Sequence, residues 1–430
     1  MRKLLTILLI ALVISSSFFP GPGFAVEASK ATGRRGLEIP QAFIPRGGSI
    51  IASSETGQIL WQEDADKPWI PLSITKAMSI YLIYQAMDLG KFTLETEIPV
   101  TPEIEQLSTY FYISNNEMKQ GATYTVSELI DLAILASSSA AVMMLIWETE
   151  LTHGEFVTWM NETAAELGMT DTTFYNAVGA PNTLMGNYPA EGYPAEEQNI
   201  STAQDIAVLS AHLIKEYPEV LNHTNIVRKT FQEGTDFEET FETYLITLEG
   251  ASYGIPGADG IKTGSGGDSG YNMSMTAKRD DTRLIGVLLG VGDWYDYDAP
   301  EYRSGIMKAL FDDAFDDYEY RLVLPKGEHE IDQRTLITEQ DLYDIVPKGQ
   351  DPGVKLVDNT FQLNVEGRTY LKGYGPPSVS FIDPVAIAEA RDAATRARRL
   401  STKNLISPIV VTIMFAGLWL WGQMAARKNQ

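Results

Sequence analysis

Pro71-Leu72-Ser73-Ile74-Thr75-Lys76 runs directly into the apolar stretch Ala77–Tyr84. Helical spacing puts Ser73 and Lys76, three apart, on one face and within reach of each other. A serine hydroxyl is a poor nucleophile until a base takes its proton. A lysine serves as that base where burial and a neighbouring cation favour its neutral form. The apolar run implies a buried helix, and hence a desolvated Lys76. Taken alone, Ser-x-x-Lys fits equally an N-cap followed by a lysine that snorkels to water.

A second stretch changes the weight of the first. Asp259-Gly260-Ile261-Lys262-Thr263-Gly264-Ser265 precedes the strand pattern Tyr271–Ala277. At a strand position, Lys262 and Thr263 offer a cation and a hydroxyl to a substrate carboxylate. Gly264 lets an extended peptide come close to the strand edge. The backbone N–H groups of Ser73 and Ser265 together make a candidate oxyanion hole. Ser-x-x-Lys followed by Lys-Thr-Gly is the motif pair of class A β-lactamases and penicillin-binding proteins.

Composition narrows the alternatives. The chain has 430 residues, 33 basic against 57 acidic side chains and a formal charge of −24, which argues against nucleic acid as a partner. Apolar residues at 44% and charged residues at 21% are those of a globular protein. The absence of cysteine removes disulfides, thiolate metal sites and cysteine nucleophiles. Four histidines, at 153, 212, 223 and 329, stand far apart and form no His-Glu-x-x-His. Neither metal nor cofactor is therefore expected, and hydrolytic chemistry falls to Ser, Lys or carboxylates. The aspartates at 293, 296, 298, 312, 313, 316 and 317 lack the order of a calcium loop and read as a solvated face.

The stretch Gly48–Lys91, with Gly57-Gln-Ile-Leu and Pro71-Leu-Ser-Ile-Thr-Lys, resembles low-molecular-mass penicillin-binding proteins of the D-alanyl-D-alanine carboxypeptidase family, Gram-positive type. So do Tyr124-Thr-Val-Ser-Glu-Leu-Ile, Ser201-Thr-Ala-Gln-Asp and Ala258-Asp-Gly-Ile-Lys-Thr-Gly, and the similarity covers roughly residues 45–315. The resemblance implies an α/β penicillin-recognising (β-lactamase-like) serine transpeptidase fold. It implies removal of the terminal D-Ala from peptidoglycan stem pentapeptides and covalent capture by β-lactam antibiotics. Within it Ser73 is the nucleophile, Lys76 its base, Lys262 and Thr263 the carboxylate binders, and Arg303 the match for a further carboxylate-binding arginine.

The family's middle motif, Ser-x-Asn, falls by register on Ser137-Ser138-Ser139. Ser137 keeps the proton-relay hydroxyl, while Ser139 replaces the asparagine that bridges the catalytic lysine and the substrate amide. A literal Ser114-Asn115-Asn116 precedes the Tyr124–Ile130 block and reads as a surface decoy. Two alternatives follow: a catalytically impaired relative with a wall-binding or regulatory role, and a membrane-anchored β-lactamase. No Glu between Glu148 and Glu249 is followed by Asn four residues on, as a deacylating Glu-x-x-x-Asn requires.

The remaining organisation reads outward from this core. Residues 1–25 carry Arg2-Lys3, an apolar run and small residues up to Ala25, the pattern of a secretory signal. The catalytic domain is expected over 40–317. Its opening hairpin is Ser49–Ser53 with Gln58–Gln62, and its helices cover 73–89, 126–150, 154–167 and 202–216. The last is capped by Ser201 or Thr202. The proline-rich Ala180–Asn199 is a candidate loop at the site's rim. Short apolar alternations over 318–383 read as a small β-rich domain, and 384–403 as a helical connector. Residues 404–426 carry no charge and suit a transmembrane anchor across a ~30 Å core. The expected location is the cell membrane, single-pass, with the catalytic domain on the extracellular, cell-wall side.

Overall fold

The computed structural model describes residues 32–400. The signal at 1–25 and the anchor at 404–426 lie outside them. The chain divides into two compact units, the first running to Arg321 and including 344–352 and 364–376.

The first unit is built on a six-stranded sheet whose spatial order is Thr369–Tyr370, Gln58–Glu63, Ser49–Ser53, Thr282–Val291, Gly270–Arg279, Ala258–Gly266. Every pairing in it is antiparallel. The opening hairpin is as the sequence implies, and Thr282–Val291 joins it to the two strands that follow the long helical insertion. Alternation along these strands sends Ile50, Ala52, Ile285, Val287 and Leu289 into one core, and Ile51, Met273, Met275 and Leu288 into a second. A sheet with two apolar faces must be covered on both. Helix Ala299–Asp317 covers the second face. It packs so closely that a Cβ at Gly286 would stand 2.6 Å from Met307 Sδ.

Helix Lys76–Asp88 belongs to the first core and is buried on nearly every side, as its unbroken apolar sequence requires. Thr202 caps Ala203–Glu216 through the Asp205 N–H. One expectation fails. The helical pattern at 126–150 is two helices, Val126–Leu135 and Ser139–Glu148. The break has a local cause: Ser137 takes a left-handed φ of 55°, and Ser138 then caps the second helix by accepting the Ala141 N–H at 3.1 Å. Serines favour such capping geometry over helix interior.

The second unit is a five-stranded antiparallel sheet in the order Gly327–Ile331, Arg334–Thr338, Ser378–Ile382, Thr360–Leu363, Val354–Val357. Leu336, Leu342, Phe361 and Val379 form its core. Residues 384–400 are helical and exposed throughout. Among the described residues no helix is long and apolar enough to cross a membrane.

Candidate active site

Ser73 lies in the tight turn Leu72–Thr75 that leads into helix Lys76–Asp88. Leu72 enters that turn at a φ of 51°, a conformation L-residues resist. Two glycines hold it there. A Cβ on Gly179 would stand 2.0 Å from Leu72 O, and one on Gly264 2.5 Å from Pro71 O and 3.0 Å from Ser73 N. Only a residue without a side chain fits either place, so the Ser73 turn is clasped between Gly179 and the Lys262-Thr263-Gly264 strand.

Lys76 Nζ stands 3.0 Å from Ser73 Oγ and donates to Val178 O at 2.9 Å. Its side chain is 1% exposed. Burial first, and the charge of Lys262 second, hold its pKa well below the ordinary lysine range. A neutral Lys76 amine has a lone pair facing the Ser73 hydroxyl, which is what a general base needs. Burial, and then Arg303, lower Lys262 to about 7. Burial lowers Arg303 to about 10, with Tyr271 acting the other way. No carboxylate pairs with Lys76, Lys262 or Arg303 among the described residues. Lys262 and Arg303, basic groups without a carboxylate partner in a strongly acidic protein, suit an anionic substrate group.

The cleft of about 410 Å³ is lined by Ser73, Lys76, Ser139 and Ser265 among the expected residues. Lys262 and Thr263 are buried in the strand that leads to Ser265. Arg303 is not among the lining residues: it is buried, donates from Nη1 to Asn272 O at 2.9 Å, and leaves Nε without a partner. Asn272 pairs with Gly264, so the guanidinium sits beside the Lys-Thr-Gly strand. Ser137 is buried, and its Oγ has no partner.

The reading of Ser114-Asn115-Asn116 as a surface decoy is corrected in one respect: Ser114 is exposed, but the segment borders the cleft and Asn116 is buried. Ser114 lines the cleft and accepts the Ser139 N–H at 2.9 Å. Asn115 Oδ1 accepts the Ala140 N–H at 2.8 Å, and Asn116 is buried against Glu239. This segment braces the start of helix Ser139–Glu148. The Ala180–Asn199 loop does form part of the rim, through Ala180, Pro181, Leu184 and Gln198. Asn182 folds it by bonding Asn176, Ala190 N–H and Tyr175 O. Tyr112, Ile113 and Gly266–Ser269 also line it, beside Ile70, Leu72, Val178 and Gly179, and nothing in the residue types of Tyr112, Ile113 and Gly266–Ser269 marks them in advance.

The aspartate-rich face also resolves into two parts. Asp293, Asp296 and Asp298 sit in an exposed turn, whereas Asp312 bonds Arg279 and Lys308, and Asp313 bonds Arg34 and Arg35. The second group corrects the expectation of a purely solvated face. Among the described residues no cluster of three acidic or histidine side chains is arranged to hold a metal.

A Ser-Lys pair under a Lys-Thr-Gly strand, on this sheet, defines a penicillin-binding serine peptidase fold with a β-rich domain following it. A family described as D-alanyl-D-alanine carboxypeptidase matches residues 41–292, more than half the chain, and the protein belongs to that family. Residues 320–382 match a domain of unknown function (DUF1958). The D-alanyl-D-alanine carboxypeptidase DacF of Bacillus subtilis is 26% identical over 319 residues, covering 74% of this chain and 72% of its own. DacA of Haemophilus influenzae is 24% identical over 357 residues, 79% of this chain and 81% of its own. Among solved structures, a peptidoglycan synthesis regulatory factor (PBP3) from Streptococcus pneumoniae aligns over 80% of this chain and 99% of its own, with a TM-score of 0.67 and 24% identity. Penicillin-binding protein 5 from Haemophilus influenzae gives a TM-score of 0.63 at 21% identity, over 81% and 98%. At these identities the two structures speak for the fold alone.

Proposed function

We infer that the protein is a serine D-alanyl-D-alanine carboxypeptidase that removes the terminal D-Ala of peptidoglycan stem pentapeptides through an acyl-enzyme on Ser73. The observation that carries the site assignment is the desolvated Lys76 amine 3.0 Å from Ser73 Oγ. Ser73 Oγ attacks the carbonyl of the penultimate D-Ala while its proton passes to Lys76. The N–H groups of Ser73 and Ser265 receive the developing oxyanion. Lys262 and Thr263, with Arg303 beside their strand, hold the terminal carboxylate. Ser137 relays a proton to the leaving amine, free D-Ala departs, and water then cleaves the ester by the reverse proton route. β-Lactams enter by the same attack and remain as the acyl adduct.

Ser139 supports a second reading, a relative with impaired turnover, because a serine hydroxyl is too short to span from Lys76 to the substrate amide. The β-lactamase alternative is set aside by the family match. We also propose that the protein is exported, with 1–25 as the signal, and held in the cell membrane by a single span at 404–426, the catalytic domain facing the cell wall. The charge-free apolar run, with Arg427 and Lys428 after it, supports that reading. The substrate test is release of D-Ala from a synthetic stem pentapeptide. Release of many equivalents of D-Ala per chain supports the carboxypeptidase; release of one equivalent at most, or a penicillin adduct with no release, supports the impaired relative.

A further inference from the structure

His153 is the first residue of helix His153–Glu166 and is 2% exposed, yet none of the steps above uses it. Both of its ring nitrogens are engaged. Nδ1 lies 3.0 Å from Tyr188 O, and Nε2 lies 3.1 Å from Ala177 N. A carbonyl only accepts and a backbone N–H only donates, so Nδ1 carries the proton and Nε2 is the acceptor. The geometry therefore fixes one neutral tautomer. Burial also pushes the imidazole below its ordinary pKa range, against weaker opposition from the Tyr188 carbonyl and Glu191.

What Nε2 holds is the strap behind the catalytic lysine. Ala177 N–H goes to His153, and Ala177 C=O accepts from Ser79 Oγ at 2.6 Å. Val178 N–H goes to Asn176 Oδ1 at 2.8 Å, and Val178 C=O receives Lys76 Nζ at 2.9 Å. The next residue, Gly179, is the glycine pressed on Leu72. On its far side His153 is anchored to the rim loop by Tyr188, and its neighbour Gly154 donates to Glu191 in the same loop.

We propose that His153 is a positioning residue for the Ser73–Lys76 pair, acting through the Ala177–Val178 strap to aim the Val178 carbonyl that orients Lys76 Nζ. This rests on Lys76 being the base for Ser73. A purely structural histidine would need only its volume and burial. A positioning histidine needs an acceptor at the Nε2 place, because the Ala177 N–H otherwise loses its partner and the strap relaxes away from Lys76.

The experiment compares His153→Gln with His153→Asn in the full chain. A glutamine side chain carries its amide oxygen out to where Nε2 stands, whereas an asparagine ends at Nδ1. Rapid-mixing kinetics with a fluorescent penicillin separate the non-covalent Kd from the acylation rate constant. The Asn variant is expected to acylate about tenfold or more slowly with Kd unchanged, and Gln to restore most of the rate. Equal behaviour of the two variants, or a loss confined to Kd, overturns the proposal. Should the Asn variant fail to fold, Ser79→Ala removes the strap's other tie and must slow acylation likewise; an unchanged rate there overturns it. Failure of the unmodified protein to acylate would instead remove Ser73 from its role, and the strap's purpose with it.

Discussion

The turn at Leu72–Ser73 and the turn at Ala136–Ser139 each lead into a buried helix, and each passes through a left-handed residue, Leu72 at 51° and Ser137 at 55°. Each such residue costs about 1–2 kcal/mol. They are held differently. The first is gripped by backbone packing, between Gly179 and Gly264, and its serine hydroxyl has Lys76 as partner. The second is held by hydrogen bonds to the main chain, Ser139 N–H to Ser114 O and Ala140 N–H to Asn115 Oδ1, while Ser137 Oγ has no partner. A turn fixed through its main chain tolerates a change of side chain. That is why Ser139 can stand where the family's asparagine is expected without disturbing the helix that follows.

The largest expected effect breaks the first turn's chemistry. Ser73→Ala should abolish both acylation by penicillin and D-Ala release, with the melting curve unchanged. Lys76→Met should lower the acylation rate by about 10²–10⁴, the usual worth of a general base. Residual activity close to that of the unmodified protein would show that another group takes the proton.

Gly264→Ala tests the grip itself. Its Cβ would collide with Pro71 O and crowd Ser73 N, so Ser73 must move. A displacement near 1 Å costs on the order of 10²-fold in rate, read as a fall in acylation without loss of the folded protein. An undiminished rate would mean that the two elements are looser than the packing implies.

Ser139→Asn sharpens the contrast with the second turn. Restoring a direct hydrogen bond is worth about 1–3 kcal/mol, or roughly ten- to a hundredfold if felt in the transition state. Pentapeptide cleavage should rise by a factor in that range. A large drop would show a pocket reshaped around the serine. No change, together with a strong effect from Asn116→Ala, would move the middle motif to Ser114-Asn115-Asn116.

The remaining effect is in pH. Lys262 is lowered to about 7 by burial and Arg303, so in the free enzyme it carries its charge below that pH and loses it above. KM for a carboxylate-bearing substrate should therefore rise above pH 7, by up to about tenfold per unit for one ionisation. Deprotonation of Lys76 has the opposite consequence, since it works as the neutral amine. A KM flat between pH 7 and 9 would show that Lys262 does not bear on the carboxylate.

Much of this was legible in the residues. Ser73, Lys76 and Ser265 reach one cleft because helical spacing and the strand pattern leave little freedom, and the opening hairpin and the Thr202 cap are local signals. Long-range placement was not legible. Nothing local distinguishes Ser114 in the cleft from a serine on the surface, since its position depends on the Ser139 N–H that it receives. The break at Ala136–Ser138 was hidden by apolar residues on both sides that continue a helical period. His153 gave no signal, because its partners Tyr188 and Ala177 are carbonyl and N–H groups of the main chain, which any sequence supplies.

The proposed mechanism requires that Ser73, activated by a desolvated Lys76, be the acylated residue. Peptide mapping by mass spectrometry after brief exposure to benzylpenicillin tests it most directly. One adduct per chain is expected, on the peptide containing Ser73, and none in the Lys76→Met protein on the same timescale. An adduct on Ser137, Ser139 or Ser114, or undiminished labelling without Lys76, would contradict it.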